Sequence, residues 1–167
     1  MTNITTFMFE DDGKIPNHPM LPLVVYQGVI QGGASACRAM YQRNKWDGIW
    51  LNGVYRFHHY HSTAHEVLGC VSGRARVQFG GENGKILEVT AGDVVVIPAG
   101  VGHYNTGDQS SDFQIMGAYP MGQTWDLCRG ELGERPRVLE NIASVPLPKT
   151  DPVQGVDGVL LNVWSVN

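Results

Sequence analysis

The chain has 167 residues, of which 43% are apolar and 17% charged, with 21 glycines and 9 prolines. That is long enough for one domain with a real core, too apolar for a disordered chain, and too rich in glycine and proline for a helical bundle. A formal charge of -4 argues against nucleic acid or an anionic membrane surface as the partner.

The N-terminus, MTNITTFMFEDDGK, has no basic segment leading into an apolar one, so no signal peptide is expected. No apolar run approaches the length that spans a bilayer. Cys37, Cys70 and Cys128 are odd in number, widely spaced and without a CxxC pair, which suits a reduced, cytoplasmic protein. Residues 5–10 and 21–30 read as strands, and 35–45 as one helix, capped by Ser35, with Ala36, Cys37, Met40 and Tyr41 on one face. Short strands are then predicted at 54–61, 66–71, 74–79, 86–90, 93–97, 102–106 and 112–118. Gly73 and Asn83-Gly84 are expected to mark hairpins, the second through a type I′ turn. The pattern is all-β, a barrel or sandwich. From Pro120 the chain is proline-rich but keeps Trp125, Leu127, Leu139, Ile142 and Trp164, too many apolar groups to leave in water. A long irregular C-terminal extension is expected to wrap the barrel or a partner subunit, with 160–164 returning as a strand. The chain is thus read as a single domain: strands and a helix over 1–48, a barrel core over 49–119, and the extension over 120–167.

The chemistry concentrates in two stretches. GVYRFHHYHSTAHEVLGCVSG, from Gly53, holds His59, His61 and Glu66. GDVVVIPAGVGHYN, from Gly92, holds His103. On a strand, His59 and His61 point the same way, roughly 7 Å apart, which lets two imidazoles converge on one ion. Glu66 begins the next strand, and a later strand must bring His103 alongside. Three imidazoles and one carboxylate suit Fe, Mn, Ni, Co, Cu or Zn, and on an octahedral ion leave two positions for water, substrate or dioxygen.

The two stretches resemble the paired motifs of the cupin superfamily. The resemblance implies a jelly-roll barrel with His59, His61, Glu66 and His103 as ligands of one divalent transition metal. The second motif departs once: Gly107 stands where the family usually has asparagine, and Asn105 lies two residues nearer the histidine. The flanks, HHYHSTAHEVLG and WDLCRGELGERPR with the proline-rich tail, resemble more closely the YjlB-like group of single-domain bacterial cupins. That closer resemblance bears on the fold and not on the reaction.

If His59 and His61 face a cavity, strand alternation places Tyr55 and Phe57 on its wall, Leu68 and Cys70 beside Glu66, and Asn105 beside His103. Tyr55, Tyr104 and Asn105 are then the candidates for catalytic groups. His58 and His65 flank the ligands and are expected to face solvent, although His65 could also support a ligand from outside; His18 is assigned no role. A metal-dependent, dioxygenase-like enzyme on a small organic molecule is the first expectation. An isomerase or epimerase of sugars or keto acids is the second, and a barrel that binds a ligand or metal without turnover the third. No lysine or second carboxylate stands near the motif to shuttle protons, which favours oxygen chemistry. The expected partners are a small-molecule substrate and a second copy in a homodimer, without nucleic acid or membrane.

Overall fold

The structure, a computed structural model, describes residues 2–165. The elements run β1 (Asn3–Phe7), β2 (Leu23–Gln27), α1 (Gly33–Arg43), β3 (Trp46–Asn52), β4 (Glu66–Ser72), β5 (Arg74–Phe79), β6 (Lys85–Thr90), β7 (Val94–Ile97), β8 (His103–Gln109), β9 (Gln114–Pro120), α2 (Arg137–Ser144) and α3 (Val159–Val163). The strands pair antiparallel into a six-stranded sheet, β1-β2-β7-β4-β9-β3, and a three-stranded sheet, β6-β5-β8. The two sheets face each other as a jelly-roll barrel. No helix among the described residues is long and apolar enough to cross a membrane.

β7 shows how the core is divided. Its four residues are all buried, because successive side chains enter opposite faces and both faces are covered. Val95 and Ile97 join Leu23, Leu68, Val77, Phe79 and Ile115 inside the barrel. Val94 and Val96 join Val67, Met116 and Ala118 on the outer face, which Cys37, Met40 and Tyr41 of α1 cover together with Leu160 and Trp164 from the tail. Helix and sheet come so close that a Cβ on Gly69 would meet the Tyr41 hydroxyl and the Cys37 sulfur, so only glycine serves there.

Several sequence expectations need correction. Helix α1 starts at Gly33 behind Gly32, whose φ is 109°; Ser35 lies inside the first turn and caps nothing. Gly73, at φ 70°, turns no hairpin. It is the corner at which the chain leaves the large sheet for the small one. The β5–β6 connection is a hairpin, but the positive φ angles fall on Gly80 and Gly81 and not on Asn83-Gly84, so the turn is not type I′. Residues 160–164 are mostly helix α3, and α2 is a second helix in the tail, so the extension is irregular only in part. Val138 and Ile142, and Leu160 and Trp164, stand four residues apart and are buried, a helical spacing too brief to separate from a strand in the sequence.

The largest difference lies at 54–61. Strand β3 ends at Asn52, and only His59 and Tyr60 make bridges beyond it. His59 exchanges backbone hydrogen bonds with His103 at 3.2 and 2.9 Å, so an unbroken ladder would carry the Asn105 N–H to the Phe57 carbonyl. That N–H donates instead to the Tyr55 carbonyl at 2.9 Å, which loops two extra residues out between Tyr55 and His59.

The tail lies against the chain's own barrel. Trp46 Nε1–H donates to the Thr150 carbonyl at 3.0 Å, and Trp164 Nε1–H to the Pro22 carbonyl at 2.8 Å. Buried Asp151 accepts from the Tyr26 hydroxyl at 2.5 Å and from the N–H groups of Val153, Gln154 and Leu160.

Candidate metal centre

The irregular segment before β4, the start of β4 and the start of β8 meet at one end of the barrel. There one nitrogen from each of His59, His61 and His103 lies within 4.8 Å of the other two, and all three residues are buried. Their Nδ1 atoms all turn outward onto backbone carbonyls: His59 onto Phe57 at 3.0 Å, His61 onto Asp126 at 2.5 Å, His103 onto Val101 at 3.2 Å. A carbonyl can only accept, so in each neutral ring Nδ1 carries the proton and Nε2 presents a bare lone pair. The backbone thereby fixes both the tautomer and the ring orientation that metal ligation needs.

Glu66 completes the cluster. Its Oε2 accepts from the Tyr119 hydroxyl at 2.9 Å, and Trp50 Nε1–H donates to that same hydroxyl at 2.9 Å. Its Oε1 lies 3.4 Å from His61 Nε2 and 3.2 Å from His103 Nε2, yet is buried without a hydrogen-bond partner. Burial disfavours the carboxylate, but His61 and His103 facing it outweigh that and hold its pKa below the ordinary value. Burial also opposes a charge on His61, whose pKa is nevertheless raised by Glu66. His59 is pushed down to about 2 by burial and then by neighbouring His103, which outweigh its weaker attraction to Glu66. Inward lone pairs around a buried carboxylate oxygen without a hydrogen-bond partner are costly. A bound cation would relieve that cost, so the residues present fit a divalent metal.

The cluster forms the floor of a cavity of about 470 Å³. Trp50, Leu51, Tyr55, Leu68, Tyr119 and Trp125 supply most of its wall.

Comparison with known proteins accords with this geometry. A family model described as Cupin matches residues 52–119. The "Uncharacterized protein YjlB" of Bacillus subtilis (strain 168) is 44% identical over 159 residues, covering 95% of each chain. The chain belongs to the cupin family. Within it, the chain falls in the YjlB-like bacterial group. Among solved structures, acireductone dioxygenase from Bacillus anthracis, with a cadmium ion in its active center, is 14% identical, with 74% of this chain and 82% of that one covered and a TM-score of 0.37. A point mutant of Bacillus subtilis oxalate decarboxylase OxdC is 19% identical, with 65% of this chain but only 27% of that one covered and a TM-score of 0.37. At such scores these likenesses say nothing of this cupin's chemistry.

The structure brings His59, His61, Glu66 and His103 together and places Tyr55 and Leu68 on the cavity wall. Phe57, Cys70 and Asn105 do not line it. The two looped-out residues turn Phe57 outward, where the Arg129 guanidinium sits over its ring at 3.9 Å. Cys70 lies deeper, among the barrel side chains, with its Sγ–H directed at the Ser72 carbonyl. Asn105 shares the inward face but spends its amide on Gln109 and on the Gly107 N–H. Tyr104 takes the opposite face and stacks on His58 at 4.4 Å. His65 is not at the surface: it is fully buried, and its Nδ1 accepts from the Ala99 N–H at 2.9 Å.

Trp50, Tyr119, Trp125 and Asp126 escaped the sequence reading. Trp50 and Tyr119 stand outside the motifs, and no local signal marks them. The apolar run of the tail led Trp125 to be expected out of water, but it stays half-exposed, as do Leu127 and Leu139, while Ile142 and Trp164 are buried. Asp126 does more than accept from His61: its carboxylate takes the Ser62 N–H at 2.6 Å and the Ser62 hydroxyl, clamping the residue beside His61.

Proposed function

We propose that this cupin is an enzyme dependent on a divalent transition metal, acting on a small organic molecule by dioxygenase-like chemistry. The convergence of three imidazole lone pairs, each ring fixed by a backbone carbonyl, on the unpartnered oxygen of Glu66 carries the reading. His59, His61 and His103 would hold the ion through Nε2 and Glu66 through Oε1. Tyr119, itself anchored by Trp50, orients that carboxylate. The ion would supply a Lewis acid and, for iron, manganese or copper, a redox centre. Leu68 and the aromatic walls limit water around the reacting molecule. Oxygen chemistry is favoured over isomerisation because, among the described residues, no lysine and no carboxylate other than Glu66 lines the cavity. The Tyr119 hydroxyl is already engaged on both sides, and burial raises its pKa well out of the proton-transfer range. Residence in the reducing cytoplasm is part of the proposal, supported by three unpaired, buried cysteines.

The test is metal analysis of untagged protein, followed by a substrate screen of the iron form with and without oxygen. Stoichiometric metal and substrate-dependent oxygen uptake are expected. Turnover that needs no oxygen overturns the dioxygenase assignment. Absence of metal, with no uptake on reconstitution, overturns the metalloenzyme reading in favour of a binding barrel. Light scattering on the same sample tests the homodimer, which would weigh twice 18.3 kDa.

A further inference from the structure

The cavity walls define the kind of molecule they accept. Four aromatic residues surround it: Trp50 from β3, Tyr55 from the loop after it, Tyr119 from β9 and Trp125 from the tail. The rings of Tyr119 and Trp125 lie within 19° of parallel at 6.3 Å, and Trp125 presents its ring to the edge of His61 at 5.4 Å. Among the described residues no lysine or arginine lines the cavity, so an anionic ligand would find no permanent cation on its walls. The one carboxylate among the described lining residues, Glu66, faces the histidines and is held from behind by Tyr119.

Few polar wall atoms remain for a ligand. The Tyr119 hydroxyl and the Trp50 indole N–H are used on each other and on Glu66, and Asn52 Oδ1 accepts from the Gly53 N–H. The phenol of Tyr55 and the indole of Trp125 stand at the mouth, where these side chains are 49% and 44% exposed beside half-exposed Leu51. Such a rim gains by being covered with apolar surface. The volume, about 470 Å³, lies within the usual range for small-molecule pockets of roughly 300–1,000 Å³.

We infer that the ligand is a neutral, planar aromatic molecule, gripped on its faces by Trp125, Tyr55 and Trp50 and presenting oxygen atoms from one edge to the histidine cluster. This rests on the cavity of the proposed enzyme, but recognition by the walls does not require the metal. Calorimetric titration of metal-free and manganese-loaded protein tests it, with 2,3-dihydroxynaphthalene as the neutral planar probe and 2-oxoglutarate and glucose 6-phosphate as anionic ones. The neutral probe should bind both forms, and the anions should bind the metal-free form at least about tenfold more weakly, a difference of about 1.4 kcal/mol. Trp125→Ala and Tyr55→Ala should each weaken the neutral probe about tenfold with the metal content unchanged, whereas Trp125→Phe should hold it within about threefold. Failure of the neutral probe to bind metal-free protein, tighter binding of either anion, or wild-type affinity in both alanine variants overturns the inference. If the neutral probe binds and no metal is ever taken up, the inference stands and the metalloenzyme proposal falls.

Discussion

At the scale of single residues, the four histidines packed between positions 58 and 65 have different fates, set by where the backbone turns each ring. His59 and His61 face the cluster. His58 stacks on Tyr104 outside it, and His65 is sealed under Ala99 and Trp164. Replacing His59 or His103 with alanine should lower metal affinity by more than about 100-fold, beyond the usual 10–100-fold loss from an outer-shell change, while His58→Ala should leave it unchanged. Metal stoichiometry after dialysis against a graded chelator reads this directly, and equal losses in all three would refute the geometry. His18 gives a pH prediction. Its buried Nδ1 accepts from the N–H groups of Met20 and Leu21, and burial pushes its pKa down to about 4. The unfolded chain therefore binds a proton on His18 that the folded chain refuses. Its contribution is complete above the ordinary imidazole pKa and is lost as pH falls from about 6.5 toward 4, by up to about 1.4 kcal/mol per pH unit. Urea denaturation at about pH 7, 5.5 and 4.5 should show a slope to which buried His59 and His65 also contribute, and His18→Asn, whose side-chain oxygen can accept from the same N–H groups, should lower it by up to about 1.4 kcal/mol per pH unit.

At the scale of elements, the predicted strands within 66–118 were legible because β4 through β9 are short and separated by turn residues, with apolar runs in β4, β7 and β9 and apolar residues alternating with polar ones in β5 and β6. The cluster of His59, His61, Glu66 and His103 was legible because two motifs keep its members at fixed spacing. The segment 54–61 misled because alternation looks the same whether the ladder continues or loops out two residues, and only the pairing with β8 distinguishes the two. The short run containing Trp125 and Asp126 matters more than its irregular backbone suggests. It runs beside the segment carrying His61, joined to it by the Tyr60–Cys128 bridge and by the Asp126 clamp on Ser62. Asp126→Ala should release that segment and lower metal affinity about 10–100-fold, with Asp126→Asn recovering much of it through the retained Oδ1 acceptor. An alanine variant with wild-type metal retention would show that the backbone carbonyl of residue 126, which the substitution keeps, holds the His61 ring without the carboxylate clamp.

At the scale of the whole molecule, the small barrel depends on its extension. Asp151 anchors the tail through four hydrogen bonds, including those from buried Tyr26 and from the Leu160 N–H. Asp151→Ala leaves those two buried donors without partners, which should cost about 2–6 kcal/mol at about 1–3 kcal/mol each, measured by denaturant unfolding. That the tail wraps the barrel or a partner was legible in its apolar residues, but which surface it covers was not, because Trp164 and Pro22 are 142 residues apart and no local pattern links them.

That separation carries over into time. The tail closes the site from its far end: the Asp126 carbonyl that orients His61 belongs to a residue 65 positions later in the chain. Contacts of such long range form late, after local hairpins such as β5–β6. The cluster would then be able to trap an ion only once the last strands and the tail have docked. In a refolding experiment, metal capture would lag behind the appearance of sheet structure and mark the moment at which the chain finishes folding.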